Sequence, residues 1–433
     1  MTPLSEHPIG SGGARARKYV LGNGLGVILV ADRSAPVCAY QTWFRVGSRD
    51  ERPGKTGLAH LFEHLMFNET ETMAPGEFDR RLEAIGADTN AATWFDWTYY
   101  RENVPSAHLA LVMGLEAERM SRLVVHEPQL ESERAVVMNE RKQVVDDDVD
   151  GFLGEQLYKL AFDHHPYRWP TIGWMQDIAA LSLDDARTFY RTFYAPNNAT
   201  VVIVGDFDEA RALGELERAY GALPPQPIVR PVADEEPAQA GERRASFSKP
   251  VVTDRLFIGW RALGLTDPDH AALDVIAELL FNGQSSLLYR SLVVERELCS
   301  TLSAEVPPFR DPGLFEVRAS MQRGHRAAEA ERVIYEAMAR LAAEPLAEAQ
   351  LEKGRNRLEA RLWHSLRPHE GKAEGLGHHE TTAGDYRLLF NSADRVRAVT
   401  AAQVQRVAAQ CLCEARRSVV VAEPRRGRGK GGA

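Results

Sequence analysis

The sequence predicts an α+β protein of two similar domains, and three observations carry that expectation. A Pro- and charge-rich run divides the chain almost in half. A helix–strand unit recurs at half the chain length. In the first half, strands come early and helices cluster after them, which argues for a mostly antiparallel sheet with helices packed on one face. The 433 residues are too many for one ordinary core.

The dividing run extends from Pro224-Pro225-Gln226-Pro227 through Asp234-Glu235-Glu236-Pro237 to Gly241, just before the strand-like Arg255–Trp260. Its composition is that of a linker. The repeat sets Leu181-Ser182, a helix and Thr200–Val204 on Val399-Thr400, a helix and Ser418–Ala422, at a gap-free offset of 218 positions. Ser182 and Thr400 stand where helix N-caps belong. Coincidence between two common units explains the pattern less well than duplication. The expected boundaries are a flexible N-terminus over 1–17, a first domain over 18–223, a linker over 224–250, a second domain over 251–423 and a disordered basic tail over 424–433.

Within the first half, Gly22-Asn23-Gly24 marks a hairpin turn between Tyr19–Leu21 and Val27–Val30. Tyr40–Val46 alternates as a half-buried strand does. Helices are expected near 56–68 and 77–85 and strands near 88–94 and 98–104. A helical stretch from 106 to about 163 is expected to be interrupted at Pro128.

Composition narrows the function. The hydrophobic fraction of 44% and charged fraction of 26% are those of a globular protein. A formal charge of −9 gives a nucleic-acid partner no electrostatic support. No apolar run is long enough to span a bilayer, so no membrane partner is expected. The four cysteines (Cys38, Cys299, Cys411, Cys413) are sparse and read as small apolar residues in a reducing compartment. With no apolar signal segment near the start, a cytoplasmic location is expected.

The chemistry concentrates in Gly57–Phe67. On a helix, His60 and His64 lie one turn apart on one stripe, and Glu63 shares it. Leu58, Leu61, Phe62 and Leu65 take the opposite side. Two imidazoles at i and i+4 can hold one zinc ion while the carboxylate reaches its water. A solvated surface helix would explain the helix but not this placement among apolar positions. A third ligand is expected on Leu130–Arg141, where Glu133 and Glu140, seven apart, share a face. On spacing alone, either could serve.

His60-x-x-Glu63-His64, with Glu140 following His64 by 76 positions, resembles the pitrilysin, insulin-degrading enzyme and mitochondrial processing peptidase family. Gly22–Leu25, Val46–Arg49, Asn90–Thr93, Glu133–Val137 and Phe193–Asn198 resemble signatures of that family in the family's order. The resemblance implies a zinc endopeptidase, one ion per chain, with His60, His64 and Glu140 as ligands, Glu63 as general base and Glu133 orienting a ligand histidine. It also implies that Asn90, Ala91, Ala92 and Thr93 form an edge strand to which an extended peptide substrate adds. Trp94 and Phe95 nearby are candidates to shape a pocket.

The second half departs from that family. Val275–Phe281 stands in the place of the metal helix without histidines. Leu287 and Ser300 stand where the family carries an Arg and a Tyr that assist the substrate. The expected partner is therefore a homologous subunit supplying Arg and Tyr in a heterodimer; the alternative is a non-catalytic assembly subunit of the same fold. His378-His379, and His364 with His369, are spaced wrongly for one ion and read as surface positions.

Overall fold

In a computed structural model, which describes residues 2–9, 14–232 and 235–425, the chain forms two compact units. One comprises residues 1–140, 169–232 and 363–391; the other comprises 141–168, 233–362 and 392–433. Each unit therefore takes a segment from the opposite half of the sequence, which the contiguous division expected above does not contain.

The first unit is built on a seven-stranded sheet. Its strands are β1 (Ser5–Ile9), β2 (Ala14–Val20), β3 (Gly26–Ala31), β4 (Val37–Phe44), β5 (Asp88–Thr93), β6 (Thr98–Pro105) and β7 (Ala199–Gly205), in the order β1-β2-β3-β7-β4-β6-β5. The N-terminal segment expected to be flexible instead supplies β1 and part of β2, which pair antiparallel. Backbone pairing there needs little from the side chains.

The second unit holds β8 (Arg243–Lys249), β9 (Arg255–Arg261), β10 (Cys299–Glu305), β11 (Leu314–Met321) and β12 (Arg417–Pro424). Its order, β8-β12-β9-β11-β10, repeats the first sheet's β3-β7-β4-β6-β5. The parallel pairs correspond as well: Gly26 faces Thr200, and Arg243 faces Ser418. β8 lies inside the segment expected as linker. Its polar run, RRASFSK, gives no core-strand signal because it is an edge strand with alternate residues exposed. The basic tail beyond Arg425 lies outside the described residues.

The repeat's two caps form as expected. Ser182 Oγ accepts from the Asp185 N–H, and Thr400 Oγ1 from the Gln403 N–H. Pro128 starts a helix rather than interrupting one, since the first turn loses nothing by its missing N–H.

β4 does not alternate as the sequence suggests; all its residues after Val37 are buried. The cause is a helix on each face. The helices on one side are α1 (Leu58–Leu65), α2 (Glu77–Glu83), α3 (Leu109–Arg122) and α4 (Glu127–Arg141), followed in the second unit by α5 (Val149–Ala161). Thr42 donates to Glu116 of α3 at 2.9 Å. Its neighbour Trp43 points the other way, onto a helix from the second half, His369–Ala383, which crosses into this unit. A Cβ at Gly377 of that helix would lie 2.1 Å from Trp43 Nε1. A sheet buried on both faces reads as a continuous apolar run.

The second unit mirrors this exchange with α5, from the first half of the sequence. Leu157 of α5 lies against Gly259 on β9. Ile258 and Trp260 face the other way, into the core formed with helices His270–Leu280, Ala327–Ala343 and Ala401–Cys411. The exchanged helices begin at Val149 and His369, 220 positions apart, close to the repeat offset.

Candidate metal centre

α1 owes its position to its first turn. Gly57, at φ +88°, adopts the left-handed conformation before the helix, and a Cβ there would meet Ile172 O at 2.6 Å. The buried Glu51 carboxylate accepts from the N–H groups of Gly57 (3.0 Å) and Ala59 (2.7 Å), satisfying donors every helix start leaves open. Leu58, Leu61, Phe62 and Leu65 are buried, Phe62 among the rings of Phe189, Tyr190 and Tyr194. With that side fixed, His60, Glu63 and His64 occupy the other.

α4 brings both glutamates to this stripe. Glu140 Oε2 lies 3.6 Å from His60 Nε2 and 3.4 Å from His64 Nε2. Glu133 Oε2 lies 3.6 Å from His64 Nδ1, and its other oxygen accepts from Asn68 Nδ2 at 3.1 Å. Glu140 faces both imidazoles, and Glu133 stands behind one. Among the described residues, His60, His64 and Glu140 form the group whose ligand atoms converge, within 4.8 Å of one another.

The spacing fits an ion. Three donors bound tetrahedrally at about 2.0–2.1 Å are separated by about 3.4 Å, close to the spacing of Glu140 from each imidazole. A set of two imidazoles and one carboxylate with an open corner suits catalytic zinc. Behind it, the Glu133 carboxylate lies on the Nδ1 side of His64, whose Nε2 is on the side of Glu140.

The electrostatics follow from the packing. Burial pushes the His60 pKa down to about 4. Burial acts in the same direction on His64, but hydrogen bonds to Glu133 and Glu140 and the charge of Glu63 prevail and raise it to about 9. Glu140 is held below the usual carboxylate range by its hydrogen bond to His64. Burial raises Glu63 above its ordinary value, against the Thr93 hydroxyl that donates to its Oε2 at 2.5 Å.

β5 is the edge of its sheet, pairing with β6 through Asp88–Thr93. Asn90 is exposed, with Oδ1 accepting from the Ala91 N–H, and Ala91 and Ala92 follow half-buried. Thr93, grouped with the substrate strand by resemblance, turns its hydroxyl to Glu63. Phe95 is buried, whereas Trp94 is 45% exposed. In the second unit, helix His270–Leu280 is buried at almost every position, and the side chains of Leu287 and Ser300 are exposed. His378, expected at the surface, has its pKa lowered to about 3 by burial.

One residue of this site, Glu51, and one contact, that of Thr93 with Glu63, escape sequence reasoning. Glu51 caps α1 from outside any motif, and Thr93 contacts Glu63 across elements. An acid six positions before a helix-opening glycine is the one signal Glu51 leaves.

Comparison with known proteins agrees with this geometry. Residues 26–173 match the family described as Insulinase (Peptidase family M16), and residues 180–358 match the Peptidase M16 inactive domain. "Zinc protease PqqE" of Helicobacter pylori is 32% identical over 346 residues, covering 77% of this chain and 76% of its own. "Probable mitochondrial-processing peptidase subunit beta, mitochondrial" of Arabidopsis thaliana is 24% identical over 404 residues, covering 90% of this chain and 75% of its own. The crystal structure of a protease from Helicobacter pylori superposes with a TM-score of 0.91 at 28% identity, over 95% of this chain and 100% of that one. Among the described residues, no helix is long and apolar enough to cross a membrane. The chain belongs to peptidase family M16.

Proposed function

We propose that the chain is the metal-bearing subunit of a zinc endopeptidase that hydrolyses extended or unfolded peptides. The observation that carries this reading is the Glu63 carboxylate, buried beside the convergent His60, His64 and Glu140 and hydrogen-bonded by Thr93 at the end of the edge strand β5. Bound there, one zinc ion would polarise the scissile carbonyl and lower the pKa of water from about 15.7 to about 7. Glu63 takes the proton from the attacking water and delivers it to the leaving amine nitrogen, while the Thr93 hydroxyl holds its Oε2. Its upward-shifted pKa makes it a better acceptor of that proton than an exposed carboxylate. Glu133 keeps His64 Nε2 turned toward the ion. Asn90, Ala91 and Ala92 offer backbone N–H and C=O groups to an added peptide strand, which gives affinity with little demand on sequence.

The same proposal includes a partner. Leu287 and Ser300 can neither bind a carbonyl nor support a tetrahedral intermediate as Arg and Tyr can. A homologous subunit contributing those two side chains would complete the site, and the relative named as a processing-peptidase beta subunit supports this division of labour. A cytoplasmic location belongs to the proposal too, and the four unpaired cysteines support it. The second reading, a non-catalytic assembly subunit, is favoured by the same two replacements.

The test combines metal analysis with cleavage assays. Purified chain is expected to hold one zinc per molecule. Glu63→Gln is expected to keep it while peptide cleavage falls by at least about a thousandfold. Cleavage is expected to rise when the partner is added. A chain that takes up no zinc, or a Glu63→Gln variant that cleaves normally, would refute the enzyme reading.

A further inference from the structure

We propose that Thr98 is a positioning residue for Glu63, acting through Thr93: its buried hydroxyl oxygen receives the Thr93 hydrogen when Glu63 turns away to the leaving amine. This rests on the reading of Glu63 as the general base.

Thr93 and Thr98 stand opposite each other across β5 and β6, so their side chains share one face of the sheet. On that face Thr93 Oγ1 donates to Glu63 Oε2 at 2.5 Å, and among the described residues it is the one donor to that carboxylate. The same Oγ1 lies 3.3 Å from Thr98 Oγ1 and is oriented to donate to it. Thr98 is fully buried and donates in turn to the Val46 carbonyl at 3.0 Å. A threonine hydroxyl has one hydrogen and two lone pairs. With its hydrogen committed to Val46, Thr98 offers Thr93 an acceptor and nothing else. Thr93 has one hydrogen for two acceptors.

The packing fixes that second acceptor in place. Thr98 pairs with Phe44 of β4 on one side and with Thr93 of β5 on the other. The turn joining β5 to β6 is closed by the Trp94 N–H on the Trp97 carbonyl at 2.9 Å. It is tied to the chain just after Val46, where the Trp94 carbonyl accepts from the Ser48 N–H (3.1 Å) and the Phe95 carbonyl from the Arg49 N–H (3.0 Å). A Cβ on Gly47 would lie 2.3 Å from Trp94 O, so the two segments run at close range and leave Thr98 no room to shift from Val46.

The ionised carboxylate is the stronger acceptor and takes the Thr93 hydrogen while Glu63 faces the water. To present the proton to the leaving nitrogen, the Glu63 carboxyl then turns from Thr93. Thr93 is half-buried, and an added peptide strand covers it further. Without Thr98, its hydroxyl would lose its acceptor at that moment, and the cost of a stranded donor would hold the carboxyl back. With Thr98, the hydrogen swings about the C–O bond from one acceptor to the other. The Thr93 O–H bond stays intact throughout, so no proton passes to Thr98. The return of Glu63 as a carboxylate draws the hydrogen back.

A crystal structure of metal-free, full-length Glu63→Ala protein tests the geometry without catalysis. The separation of the Thr93 and Thr98 oxygens is expected to shorten from 3.3 Å to about 2.8 Å. An unchanged or longer separation would overturn the proposal. Kinetics of the zinc-loaded full-length protein on a fluorescence-quenched decapeptide test the consequence. Thr98→Val is expected to lower kcat about tenfold with KM and zinc content unchanged, and Thr98→Ser to restore it to within about threefold. On a Thr93→Val background, where no hydrogen needs an acceptor, Thr98→Val is expected to change kcat by less than about twofold. An undiminished kcat, no rescue by serine, or a fall repeated in full on that background would each overturn the proposal. The last is what a purely structural threonine would give. If Thr98→Val does not fold, the Glu63→Ala structure decides alone. An unmodified protein that cleaves no peptide defeats the peptidase reading, and the same structure still decides whether Thr98 receives the hydrogen.

Discussion

Glu133 and Glu140 approach different nitrogens of His64, and their substitutions should separate accordingly. Glu133→Gln removes the charge behind His64 Nδ1 but keeps all three ligand atoms, so zinc affinity is expected to fall about 10–100-fold. Competition with a chromogenic chelator measures this; an unchanged affinity would deny Glu133 its orienting part. Glu140→Gln is expected to cost more. Glu51 makes a third residue-scale prediction. Glu51→Ala leaves two buried N–H groups of the α1 start unsatisfied, with an expected loss of about 1–3 kcal/mol each in chemical denaturation. The motif residues were legible in sequence because helical period alone puts His60, Glu63 and His64 on one stripe. Glu51 was not, nor was the contact of Thr93 with Glu63, because these partners come from elements whose packing no local pattern encodes.

At the level of elements, the close approach of helix His369–Ala383 to β4 depends on Gly377. Gly377→Ala would drive a methyl group into the Trp43 ring, and a loss of about 1–3 kcal/mol is expected in the melting curve. The segment between the domains is anchored as well. Glu236 accepts from three successive N–H groups, those of Asp163, His164 and His165, and pairs with Arg261. Burial pushes its pKa up, but these bonds prevail and hold it at about 2. A carboxyl held below its unfolded value of about 4.5 stabilises the fold fully above that pH and progressively less as pH falls toward 2. Glu236→Gln should therefore lower Tm at pH 7, with the difference from the unmodified protein closing between pH 4.5 and pH 2. A gap constant across that range would contradict the assignment. A Pro- and acid-rich run reads as linker from composition, and the anchoring is invisible because it depends on a loop some 70 positions earlier.

For the whole molecule, the decisive feature is the exchange of helices between halves. Residues 1–232 expressed alone lack the helix that covers Trp43, so they should stay protease-sensitive and non-native by circular dichroism. Residues 233–433 lack α5 and should behave likewise. Co-expression should restore both, since each fragment carries the other's missing helix. A stable, zinc-binding 1–232 fragment would show that the crossing helix is dispensable.

What the sequence determined by itself was local or periodic. It encoded the duplication through a gap-free register at an offset of 218 positions, the helix caps at Ser182 and Thr400, and the stripe of His60, Glu63 and His64 on α1. Tertiary structure decided the rest. It chose Glu140 over Glu133 to face both imidazoles, made β8 a strand despite its polar sequence, buried both faces of β4, and turned Thr93 toward Glu63. The physical reason is one of range. Helical and strand periodicity are written in neighbouring residues, whereas which face is covered, and by what, depends on segments from 30 to more than 300 positions away.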